Sequence, residues 1–384
     1  MRLDPRNSYV AGLQHNHEYL SLYLNFFKEE RRDGQSYSLL SMNFNATANI
    51  NQDHYRFNGG VSRYLKKNYT TPSASFTVFW SPSKRIHTFE LKYYLDGQRY
   101  DMLDLIDHTF DTDPLNLRTG NPDLRQTIRN SLQVRYNSNK LWTSHLLNIF
   151  TNLGWRHNIN DIVMSYDYDR ATGVRTFRPA NVNGNHNINY QLGGNLYLDR
   201  ARKWWIYNSL NLGAGRLTDL MSTDGFNTFD KKIINTFSIS DYMGIEYDFR
   251  GHTIGANAGI NRQHSSSTKQ DFTPFDITTF KYGVKCRFVL PYKIELSSDL
   301  TMYSNRGYDY HEMNTNQLVW NGRISKSIMK GNLIMAIDGY DILGNVKSIS
   351  YMINGDNRTE TWVNNIPSYV MLSLRWNFTK KPRE

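Results

Sequence analysis

Residues able to do chemistry are few and scattered in this sequence. In QHNHE, His15 and His17 stand two apart, a spacing that in a strand points both imidazoles to one face, where a metal could sit. The plainer reading is two polar loop or rim residues beside Glu18. Cys286 is the only cysteine, which rules out an internal disulfide and a cysteine-rich zinc site. No phosphate loop, paired zinc motif, dinucleotide fingerprint or Ser, His and Asp constellation stands out, so neither an enzyme nor a cofactor is expected. A larger set is cationic: Lys281, Lys285, Arg287, Arg323 and Arg375, with Arg129 and Arg135, fall on alternate positions of strand-like segments. They could make a pore interior that attracts anions. Glu90, Glu246, Asp248, Glu295, Asp299 and Asp338 fall on the same expected face and could pair with them. Among connecting segments, Tyr166, Tyr168, Tyr308, Tyr310 and Trp362 could stack on a sugar or a siderophore, or simply pack at a rim.

The elements that would position these residues are strands. Aromatics make up 14% of the 384 residues, yet mean hydropathy is −0.62, and no stretch approaches the ~20 consecutive apolar residues of a membrane helix. A membrane-spanning strand needs only about 9–11 residues with every second one apolar. That pattern is plain at the C-terminus, where Val370, Leu372, Leu374, Trp376 and Phe378 alternate with polar neighbours. It recurs upstream, as in Phe280, Tyr282, Val284, Cys286 and Phe288, then Ile254 to Ile260, Phe237 to Phe249, Phe89 to Leu95 and Leu20 to Phe26. Roughly fifteen strands are expected. Asp241 breaks the apolar face of its strand, implying a rim position or a register slip.

Connections divide into two kinds. Ser81–Arg85, Asn137–Lys140, Asp199–Lys203, Arg250–Gly251, Pro291–Tyr292 and Lys330–Gly331 are tight. Between them, Leu95–Leu124, Asn158–Asn181, Thr218–Lys231, His264–Phe275, Ser304–Thr315 and Gly339–Asn365 are long and polar. Alternating short and long links are what periplasmic turns and extracellular loops produce in an outer-membrane barrel. The expected fold is therefore all-β: a transmembrane antiparallel up-and-down β-barrel in the bacterial outer membrane, in contact with its lipid. The net charge of +10 comes from dispersed cations and does not suggest nucleic acid as a partner. The start, MRLDPRNSYV, lacks the ~7–15-residue apolar core of an export signal. With an odd strand count, it implies a single barrel domain, residues 1–384, truncated at its N-terminus.

The segment DTDPLNLRTGNPDLRQ, with Asp113, Pro114, Gly120, Asn121 and Pro122, resembles a barrel segment of TonB-dependent receptors. The C-terminal GNLIMAIDGYDILGNVKSIS…SYVMLSLRWNF is similar to the last strands of the related outer-membrane β-barrel family. This resemblance implies energised uptake of a large nutrient such as a siderophore, oligosaccharide or peptide through a barrel of about 22 strands. It also implies a plug and a TonB box, neither of which is found in these residues, and a glycan or other small-molecule ligand. Trp376 and Phe378 resemble the C-terminal signal read by the barrel-insertion machinery, although six polar residues follow. Alternatives are a barrel that anchors a surface complex, or a passive channel.

Overall fold

A strand with one apolar face in contact with lipid must hydrogen-bond on both edges, because lipid offers its backbone nothing. The computed structural model answers with one long antiparallel meander. It describes residues 7–32, 35–83, 86–141, 146–268, 274–309, 311–346, 349–354, 357–362, 366 and 368–377. The strands are β1 (Val10–Arg32), β2 (Gln35–Asn58), β3 (Ser62–Ser83), β4 (His87–Gly97), β5 (Asn116–Arg118), β6 (Ile128–Leu141), β7 (Leu146–Ile159), β8 (Asp161–Tyr168), β9 (Arg175–Val182) and β10 (His186–Tyr197). They continue as β11 (Trp204–Ser222), β12 (Asp230–Phe249), β13 (His252–Ser267), β14 (Phe275–Leu290), β15 (Ile294–Arg306), β16 (Asn316–Ile328), β17 (Leu333–Tyr340), β18 (Ile349–Asn354), β19 (Asn357–Trp362) and β20 (Tyr369–Trp376).

Fifteen of these, β1 to β4, β6, β7, β10 to β17 and β20, pair antiparallel in sequence order. Among the described residues the wall does not close, since β1 pairs only with β2 and β20 only with β17. The short strand β5 pairs in parallel with β9, and the β8–β9 hairpin joins the far end of β11 in parallel. The β18–β19 hairpin is separate. No helix among the described residues is long and apolar enough to cross a membrane.

Alternation sorts the side chains as the sequence implies. On β14, Phe280, Tyr282 and Val284 are exposed on the outer face, while Lys281, Lys285 and Arg287 face inward. At the short-turn end the outer face carries a band of touching aromatics. Trp80 and Phe89 have ring centres 5.0 Å apart, Phe89 and Tyr136 4.7 Å, and Trp204 and Tyr247 4.5 Å. Such girdles sit at a membrane interface.

Several expectations need correction. Asn137–Lys140 is not a turn: β6 runs through it, Asn137 opposite Phe150 and Asn139 opposite Asn148. Its Asn and Ser residues read as turn chemistry, but the ladder outweighs that preference. Strand β7, absent from the alternating segments, is real, and both Asn158–Asn181 and Gly339–Asn365 contain hairpins rather than plain loops. The link between β2 and β3 at the long-loop end is only residues 59–61; there the strands themselves extend. Asp241 marks neither a rim nor a slip. It stands opposite Leu210 and Ile260 in unbroken register and accepts a 2.7 Å hydrogen bond from Asn208 Nδ2 on the same outer face. Each polar group satisfies the other where lipid could not.

The two faces should tolerate charge differently. Val284→Lys places an ammonium near the middle of the outer band and should cost ~2–4 kcal/mol of folding in bilayers, whereas Asn261→Lys, on the inner face, should cost far less. Heat-modifiable gel mobility after refolding into liposomes measures both, and equal losses would refute this assignment of faces.

Candidate functional site

The outer face of β2 is apolar from Leu40 to Ile50 and polar from Gln52 to Asn58, so the upper parts of β1 to β3 rise beyond the apolar band. There the inner face reverses its character. Tyr55 and Phe57 are almost fully buried, with Asn51 and Asp53 beside them. The cover is the segment linking β4 to β6, which folds back over this face. Its one-turn helix α1 (Met102–Leu105) is capped by Asp101, which accepts from Leu103 N at 2.9 Å. Leu105 and Leu124 complete a small core with Tyr55, against which Leu65, Tyr100, Met102 and Ile162 pack.

The residues singled out by the motif do specific work in holding this segment. A Cβ on Gly120 would stand 2.1 Å from Ile106 O, so only glycine permits that approach. Asn121 N donates to Asp104 O at 2.6 Å, and its Nδ2 donates to Pro179 O on β9 at 2.9 Å. Lys67 Nζ on β3 donates to Pro122 O at 2.5 Å. Asp113 accepts from Leu115 N at 3.0 Å and from Asn116 Nδ2 at 2.8 Å, bonds that hold its carboxyl below the usual 3.8. Pro114 follows it in the same turn. Gly120 to Pro122 thus pin the segment to β3 and to the β8–β9 hairpin, while Asp113 and Pro114 shape an exposed turn.

A second group was not legible as a site. Tyr69 Oη donates to Asp53 at 2.6 Å, Tyr55 Oη at 3.1 Å, and His15 Nδ1 also reaches this carboxylate. Burial pushes the Asp53 carboxyl up, but the bonds from Tyr69, His15 and Tyr55 outweigh it and hold the group below 3.8. Burial, then Asp53 itself, raises both tyrosines. His17 stacks on His15 at 5.8 Å and bonds Asn49 Oδ1 at 3.0 Å. These histidines are wall residues tied to a carboxylate and an amide. No group of three or more His, Cys, Asp or Glu able to hold a metal occurs among the described residues. The only sequence signal for the cluster was Tyr55 and Phe57 interrupting a polar run.

Lower on the inner face lies a recess of about 510 Å³ whose lining includes Glu246, Lys285, Arg287, Asp299, Arg323 and Asp338. Three of the expected cations are paired across strands: Lys285 with Glu246 at 2.5 Å, Arg287 with Glu295 at 2.7 Å, and Arg323 with Asp338 at 3.1 Å. Asp338 also accepts from Ser373 Oγ at 2.6 Å. Arg135 and Lys92 both approach Glu90, at 3.4 and 2.7 Å. Lys281 lies instead between two tyrosine rings. Arg375 is exposed on β20, two residues from Ser373, and Trp376 is exposed on the outer face. Tyr166 leans on Phe177, and Tyr308 is raised by burial. Phe378, Tyr310 and the Trp362 side chain lie outside the described residues.

A two-faced meander with girdle aromatics, short turns at one end and a polar inner wall is a membrane barrel wall. The family model described as outer membrane protein beta-barrel family matches residues 47–251, more than half of the chain. The chain belongs to that family. No match was found among the curated proteins or among the solved structures. Membership places this barrel in the bacterial outer membrane, its outer face in lipid. The long connections, with the pinned segment beneath them, are then at the extracellular mouth.

Two outcomes test this mouth. Gly120→Ala should release the pinned segment and speed trypsin cleavage at Arg118 and Arg125, with gel mobility of the folded barrel unchanged; unchanged cleavage would refute the pinning role. Because Asp53 has a lowered value when folded, its stabilising contribution is complete above 3.8 and is lost as pH falls below it. Amide protection in residues 51–57, taken relative to the intrinsic exchange rate at each pH, should fall from pH 5 to pH 3 in the native chain and change less in Asp53→Asn.

Proposed function

We propose that this barrel is the wall of an energised, TonB-dependent receptor that takes up a nutrient too large for porins. The observation that carries the reading is the size of the wall. Fifteen strands pair in order and β1 and β20 still present free edges among the described residues, edges that lipid cannot satisfy. A wall of this many strands has the width whose lumen side chains alone cannot fill, as in plugged transporters of about 22 strands. In this proposal a plug in the lumen and its contact with TonB complete the transporter. The pinned Gly120–Pro122 segment supports the same reading, since it holds an extracellular connection inward over the lumen face, where a ligand enters. Trp376, at the end of the final outer face, would serve with Phe378 in recognition by the insertion machinery. The role is transport, with no catalytic step and no cofactor.

The test is carried out in cells. A strain lacking the gene should lose growth on one source among panels of ferric chelates, oligosaccharides and peptides, and depleting TonB in the parent should cause the same loss. Normal growth on every source, with surface proteins lost from the deletion strain, would support an anchoring barrel instead. Uptake that persists without TonB would point to a passive channel.

A further inference from the structure

Glycines on the inner wall stand where aromatic rings need room. A Cβ on Gly244 would come within 2.3 Å of Tyr207 Cζ, one on Gly259 within 3.0 Å of Tyr242 Cδ2, and one on Gly193 within 2.3 Å of Phe150 Cζ. Each ring thus lies across the neighbouring strand, one side against backbone. The register makes the arrangement continuous: Tyr207 stands opposite Gly244, Tyr242 opposite Gly259, and Gly259 opposite Lys281. Across β11 to β15 the row reads Trp205, Tyr207, Tyr242, Lys281, Tyr303. Ring centres are 4.9 Å apart for Trp205 and Tyr207 and 5.9 Å for Tyr207 and Tyr242. Lys281 Nζ is 5.8 Å from the Tyr242 centre and 5.5 Å from that of Tyr303. Tyr303 is 37% exposed and Phe150 39%. Rings on an inner wall have no lipid to contact, so burial in the membrane does not explain them.

The polar groups around the row say what would lie on it. Lys285 and Glu246 neutralise each other, as do Arg287 with Glu295 and Arg323 with Asp338. These pairs neutralise the cations of the larger recess, so the one cation within the row is Lys281, held between Tyr242 and Tyr303. Beside it the wall is rich in neutral amides: Asn257, whose Oδ1 is buried and unpartnered, and, in a second recess of about 280 Å³ that Arg156 also lines, Gln133, Asn152, Asn187 and Asn189. Flat rings beside neutral donors and acceptors suit a ligand with C–H faces and many hydroxyls. We propose that this row is a binding platform for an uncharged oligosaccharide, its pyranose rings lying on Tyr207, Tyr242 and Tyr303 with hydroxyls reaching Lys281 and Asn257. This deepens the uptake reading by naming the class of ligand.

The test is isothermal titration of the full chain, folded in detergent, with maltohexaose, cellohexaose and xylohexaose. Controls are hexagalacturonate and a neutral Gly-Ser hexapeptide. At least one neutral hexasaccharide should bind saturably. Tyr207→Ala and Tyr242→Ala should each weaken it roughly tenfold, as loss of one stacking ring does, and Tyr242→Phe should not. Lys281→Met, which keeps every ring, should also weaken binding and serves if the alanine variants fail to show the mobility of folded barrel. Met243→Ala, on the outer face, should change nothing. Binding of none of the neutral sugars, binding of hexagalacturonate or peptide in their place, or sugar binding indifferent to these substitutions would overturn the platform. The uptake reading fails separately: a chain that binds peptide alone can still be an importer, and one that binds sugar can still leave growth independent of TonB.

Discussion

Everything in this wall follows from the backbone's need for hydrogen-bond partners where lipid supplies none. The ladders from β10 to β16 run without register shifts in their pairings, because one slipped residue would turn every apolar side chain of a strand into the lumen. That continuity carries Asp241 through the outer band. Holding the register for the whole of β12 outweighs the cost of one carboxyl among apolar neighbours, and Asn208 reduces that cost by donating to it. The same need makes the free edges of β1 and β20 the least settled feature of the described wall.

Once the outer face has met lipid, the inner face is free of apolar demand and takes on chemistry. Over most of its height it is a mosaic of paired charges, amides and rings set against glycines. Beneath the segment between β4 and β6 it becomes apolar, with Tyr55 joining Leu105 and Leu124 of that segment in a small core and Phe57 buried nearby. That exception has a direct cause: a connection that folds inward removes water from the wall it covers, and the wall answers with apolar side chains. At Asp53 the bonds from Tyr69, His15 and Tyr55 outweigh the burial that the cover imposes, so the polarity of the site depends on the neighbouring strands as much as on the cover.

Both ends of the wall follow from the direction of the chain. Tight turns such as Arg250–Gly251 close one end, where the aromatic girdle lies. The other end carries long connections that fold into structure of their own, β8–β9 and β18–β19 among them. Material for recognition therefore collects at a single end, above the paired inner wall.

By itself the sequence determined the class of fold, the two faces and a strand count of about fifteen, because alternation is a local property imposed by the pleat. Lys281, Lys285, Arg287 and Arg323 were placed on the inner face by parity alone. The motif from Gly120 to Pro122 was legible as a feature, but its work was not: contacts with Ile106, Lys67 and Pro179 join residues from 14 to 58 positions apart. The hairpins escaped because their Asn, Asp, Thr and Gly look like loop chemistry until a partner strand satisfies them, whereas β7 was legible in the alternation of Ile149, Leu153 and Trp155. Which cation meets which carboxylate, that Asp53 gathers His15, Tyr55 and Tyr69, and that tyrosines lie over glycines were decided only by tertiary structure. These depend on register between strands distant in sequence, and register is a property of the closed set of hydrogen bonds rather than of any one strand.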